Sequence, residues 1–167
     1  MNLQKNNLKF TFIAALIPTL LFPALFPAFR IQFMIPFLIT LYYQRSYIDC
    51  LWGSLLCGLI MDLLSQNHRL GLYGMIFCMT TMILYRQRRN FFADTVTTLP
   101  IMTFFFSVTS TIIHGLLIST FDSKLNLSAA WFFTDLILYP LFDALYAFVF
   151  FVLPYWIFGK SRRNCMY

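Results

Sequence analysis

Glutamate is absent from this chain of 167 residues, and only 11% of its positions carry a charged side chain, less than half the share usual in soluble domains. That scarcity excludes an ordinary water-soluble globule. The cysteines at 50, 57, 78 and 165 make no CxxC pair and have no histidine at ligand spacing, so neither zinc nor a redox dithiol is expected. No HExxH, Gly-x-Ser-x-Gly elbow or GxxxxGK[ST] loop occurs. Asp135 and Asp143 stand eight residues apart, about 12 Å along a helix axis, too far to share a proton as paired catalytic carboxylates do. No catalytic residue, metal or cofactor is therefore expected.

What the chain has in abundance is apolar surface. Sixty per cent of it is hydrophobic, with 21 phenylalanines, which points to an all-α, polytopic membrane helix bundle occupying residues 1–167 as one domain. A span needs about 20 mainly apolar residues, and cutting at the charges gives six segments. The first, Phe10 to Phe29, carries Pro18, Pro23 and Pro27, which should kink it and end it. Ile31 to Tyr43 is too short to cross unless Arg30 snorkels or the segment is partly re-entrant. The others run from about Tyr47 to Leu64, about Leu70 to Tyr85, within Thr95 to Phe121, and about Tyr139 to Phe158, the last ambiguous at its start, since Leu125 to Asp135 reads either as an amphipathic surface stretch before it or as part of it. The start, MNLQKNNLKF, imitates a signal peptide without a convincing cleavage site and reads as a retained anchor.

Orientation follows from the basic residues. With the N-terminus inside, Lys5, Lys9, Arg45, Arg86, Arg88, Arg89, Lys160, Arg162 and Arg163 are cytoplasmic, whereas Arg30, Arg69 and Lys124 are outside. This bias places both ends, residues 1–9 and 159–167, in the cytoplasm. The net charge of +6 is scattered between apolar runs, so no nucleic-acid partner is expected. Arg86, Arg88, Arg89, Lys160, Arg162 and Arg163 form a basic edge suited to anionic lipid headgroups. Tyr42, Tyr43, Tyr47, Trp52, Tyr85, Trp131, Tyr155 and Trp156 fall near the expected interfaces as an aromatic belt.

The rest is arranged around residues 51–89, LWGSLLCGLIMDLLSQNHRLGLYGMIFCMTTMILYRQRR. Ser54, Gly58 and Asp62 recur every four residues and share one helix face. Small residues at that spacing let two helices approach closely in lipid, either another helix of this chain or a partner's. Asp62 sits where the helix dipole is negative, so it needs compensation. Candidates are His68 and Arg69 in the turn, or backbone N–H groups around Leu70 to Leu72; simple capping or snorkelling at the surface is the plainer reading. Asp62, His114 and Asp143, with Arg69 as countercharge, are expected to form a polar cluster at one depth near the outer surface, unless each faces interfacial water alone.

Gly58, Asp62, Leu63, Leu64 and Ser65, followed by Leu70, Gly71, Leu72, Tyr73 and Gly74, make a G-x-x-x-D-L-L-S then L-G-L-Y-G pattern. It resembles the core of the rod shape-determining MreD family. The proline-bearing first span, the short second segment, the basic loop after the fourth span and the Leu145-Tyr146-Ala147 step before a basic tail are similar too. Asp143 departs from the pattern, as does the polar turn from Gln66 to Arg69. The resemblance implies a bacterial inner-membrane component of the elongation machinery with no reaction of its own. It implies partnership with an MreC-like bitopic protein and, through it, with MreB, RodA and a penicillin-binding protein. Ser54, Gly58, Asp62, Gly71, Tyr73 and Gly74 are then the helix-packing or partner-binding candidates. The competing reading is a substrate-binding subunit of a vitamin-type transporter, with Asp62, His114 and Asp143 lining a solute pocket.

Overall fold

The computed structural model describes residues 8–25, 32–64, 71–87, 97–121 and 133–153. Among them there is no strand, and the fold is an all-α bundle of α1 (Leu8–Leu25), α2 (Ile35–Gln44), α3 (Tyr47–Leu64), α4 (Leu72–Gln87), α5 (Thr98–Phe121) and α6 (Thr134–Val152). By length and composition α3, α5 and α6 can each cross a membrane. Their outward residues are apolar: Trp52, Leu56 and Leu63 on α3 and Leu145 and Phe150 on α6 are exposed, the inverse of a soluble surface and what a lipid solvent requires. The chain is a membrane protein. The fourth helix has 16 residues, and the apolar part described for α1 is Leu8–Phe22.

Local chemistry sets the helix ends. Ser46 donates to Asp49 Oδ2 at 2.9 Å and lies 3.5 Å from the Asp49 N–H, an N-terminal cap for α3. The preceding helix stops at Arg45, whose extended backbone still returns its N–H to the Leu41 carbonyl. A link of two residues thus joins α2 to α3. Pro18 has no N–H for the Ala14 carbonyl, and the Tyr146 hydroxyl of α6 donates to that oxygen instead, at 3.4 Å. The α6 helix is wound more loosely at both ends, with π-helical turns at Thr134–Leu138 and Phe148–Val152 around an α-helical middle, Tyr139–Ala147.

The centre of the bundle is α2. Every residue from Phe33 to Tyr42 is buried, so this helix is apolar nearly all round, as a fully enclosed helix must be. It packs on α1, α3 and α5. Its ten residues reach about 15 Å, half the hydrocarbon thickness. The second segment is therefore a half-length helix enclosed by protein. Tyr42 fixes its C-terminal end through a 2.8 Å hydrogen bond with Thr81 of α4.

The closest helix contact is between α3 and α4. A Cβ on Gly58 would stand 2.5 Å from Gly74 Cα and 2.7 Å from both Gly74 N and Tyr73 O, so backbone meets backbone. Gly71, just before α4, has φ +95° with open space around it. Gly58→Ala should therefore cost about 1–3 kcal/mol through overpacking, and Gly71→Ala about 1–2 kcal/mol through left-handed strain alone. Thermal unfolding in detergent measures both; a Gly58→Ala midpoint equal to wild type would refute the close approach.

Candidate functional site

Asp62 leaves α3 two residues before its end and is 3% exposed. Its Oδ1 accepts the Tyr73 N–H at 3.0 Å, and Oδ2 accepts the N–H groups of Gly71 and Gly74, both at 3.1 Å. These are among the donors that the first turn of α4 cannot satisfy by itself. A side chain from one helix thus caps the next. The unfavourable dipole of α3 is worth about 0.3–1 kcal/mol, whereas hydrogen bonds to a charged group contribute about 1.5–3 kcal/mol each, so the three bonds win. The left-handed φ of Gly71 belongs to this turn, whose N–H meets the carboxylate.

The rest of the stripe is covered by the same hairpin. Gly58 lies against Gly74, and buried Ser54 donates to Leu51 O at 2.8 Å while facing Cys78 Sγ of α4 at 3.6 Å. Of the two occupants expected for this face, the chain's own helix takes it, and the stripe is closed to a partner. The ring of His114 on α5 stacks on Tyr73, with centroids 5.9 Å apart and planes 17° from parallel.

Asp143 is placed differently from the sequence expectation. It lies nine residues from either end of the described α6, is 1% exposed, and takes partners of its own instead of joining Asp62 and His114 in one cluster. The physical reason is that the chain is already helical at Thr134, one and a half turns before Tyr139. Oδ1 of Asp143 accepts the Gln32 N–H at 2.9 Å, and Oδ2 accepts the Ser107 hydroxyl at 2.5 Å. Ser110 lies 3.3 Å from Gln32 Oε1 and donates to Ser107 O at 2.9 Å. Gln32 leads into α2, so this second carboxylate also serves the start of another helix.

The two carboxylates take separate sets of donors at different levels. Ser107, Ser110 and His114 share one side of α5 by their spacing, so that face runs from the Asp143 set to Tyr73. Gln32, Ser107 and Ser110 were not singled out from sequence; the available signal was this three-and-four spacing of polar residues within an apolar span. Arg69, Arg88, Arg89, Lys160, Arg162 and Arg163 lie outside the described residues; Arg86 is exposed in the last turn of α4. No group of three metal-ligating side chains occurs among the described residues. A cleft of about 340 Å³ between α1 and α6 is lined by Ala14, Ile17, Pro18, Leu21, Phe22 and Phe150, all apolar, and includes neither carboxylate.

The donor sets imply opposite responses to the same substitution. Asp62→Asn turns an amide NH₂ toward backbone N–H groups and should cost about 1–3 kcal/mol. Asp143→Asn can accept from Gln32 and donate to Ser107, and should unfold within about 1 kcal/mol of wild type. Denaturant unfolding of both variants in detergent checks the contrast; equal losses would show the donor sets to be wrong. No family model, curated protein or solved structure matches this chain.

Proposed function

We propose that the protein is a non-catalytic, multi-pass scaffold of the bacterial inner membrane, similar in role to MreD, that binds transmembrane partners of the cell-elongation and peptidoglycan-synthesis machinery. The observation that carries the reading is where the residues of the resemblance lie. Gly58, Asp62, Gly71, Tyr73 and Gly74 form one joint between α3 and α4, made of a backbone contact and three hydrogen bonds. Their pattern is thus the signature of a built structural unit rather than of a reactive or ligand-holding site. With the Ser54/Gly58 face closed, recognition falls to the exposed apolar faces, where packing and small polar contacts join helices in lipid. The direct partner in this reading is an MreC-like bitopic protein, with MreB, RodA and a penicillin-binding protein reached through it. Both chain ends and the basic edge then face the cytoplasm.

The transporter reading is served by one feature, the half-length α2, since broken helices place their N-termini at substrate sites in many carriers. Here that end meets Asp143 of the same chain. Affinity capture of the full chain in mild detergent is expected to recover a single-span protein, and depletion should round a rod-shaped host. Recovery of a tightly bound small solute with no protein partner, and normal cell shape on depletion, would replace this function with the carrier.

A further inference from the structure

The geometry points to Asp143 as a reversible proton-binding site at the centre of the bundle, paired with Ser107. Asp62 and Asp143 are both buried carboxylates, but their partners differ in what they can do. Both oxygens of Asp62 face backbone N–H groups, which only donate; a proton on either oxygen would displace a hydrogen bond. Asp143 Oδ2 faces a hydroxyl, which donates or accepts according to its rotation. When a proton from water binds Oδ2, the new O–H donates to Ser107 Oγ. The Ser107 hydrogen turns to the Thr103 carbonyl one helical turn back, the bond that Thr103, Thr109 and Thr111 make on the same helix. Oδ1 keeps the Gln32 N–H throughout. Each protonation state is fully hydrogen-bonded.

Among the described residues no cation faces this carboxylate. The helices packed on α6, α5 along its length and α1 around Tyr146, offer Lys9, exposed in the first turn of α1, and His114, two turns from Ser107. The segment leading into α2 contributes Gln32, Arg30 two positions earlier lying outside the described residues, and α2 has only Tyr42 and Tyr43 at its far end; α6 itself adds Asp135, Tyr139 and Tyr146. No lysine or arginine among the described residues of these helices lies at the level of Asp143. An ionisable residue inside a span is by default a functional site, and the negative state faces the N-terminal end of α2, whose dipole favours it. Proton uptake therefore weakens the hold on that end while preserving its hydrogen bond. This inference does not rest on the scaffold reading.

Infrared difference spectra between alkaline and acidic pH, taken on the full chain in lipid nanodiscs, test it through the carboxylic acid C=O stretch. Wild type should show a component, shifted in heavy water, that is lost in Asp143→Asn, while Asp135→Asn leaves it in place. Ser107→Ala should keep this component and move it to higher frequency, because the acid has lost its partner. Identical spectra for wild type and folded Asp143→Asn would overturn the proposal. If Asp143→Asn does not fold, the Ser107→Ala shift decides alone, and its absence would be equally fatal.

Discussion

An open helix end cannot be left in hydrocarbon. The first N–H groups of a helix have no partner within it, and in a membrane interior no water supplies one. The carboxylate of Asp62 answers this for α4, and the α3/α4 hairpin is organised by that bond. Because Asp62 must reach over the start of α4, the helices come close enough that Gly58 meets the backbone of Gly74. A side chain at Gly58 would hold the helices apart and lengthen the hydrogen bonds. Close packing and end-capping are one requirement here.

The same constraint reappears at α2 in a more demanding form. This helix begins within the bundle, at buried Phe33 and Met34, so the N–H groups of its start need protein partners. Gln32 is therefore tied to α6 through Asp143 and lies beside Ser110 of α5, while Tyr42 and Thr81 hold the other end to α4. Two hydrophobic clusters result: one of α2 with α3, α4 and α5, and a smaller one around Phe33, Leu99, Tyr146, Ala147 and Phe151. The Asp143 set lies where they meet. Polar groups at such a seam specify which helices meet, since an unpaired member would cost more than the pair gains.

Much of this was legible in the chain. Composition establishes an all-helical membrane protein, and the charges bracket α1 to α5 to within a few residues, whereas α6 is already helical five residues before the expected start. Backbone N–H groups at the start of α4 were among the partners open to Asp62 in the sequence, because both sides of the joint are local in the chain; that Tyr73 and Gly74 join Gly71 as donors was not. The shortness of the second segment was evident too, although not its enclosure on all sides. The level of Asp143 was not, because the first residues of α6 are wound as a π-turn and give no clean periodicity. Its partners are 36 and 111 positions away. A hydrogen bond over that separation leaves no trace in spacing along one chain.

The half-length of α2 also has a meaning for synthesis. A segment of about 15 Å cannot hold itself across hydrocarbon, and the groups that satisfy its leading end, Ser110 and Asp143, emerge from the ribosome after α3 and α4 are already complete. During that interval the segment has no settled place in the bilayer. Its final enclosure is an event of late assembly, and insertion of the chain cannot proceed as a simple series of independent crossings.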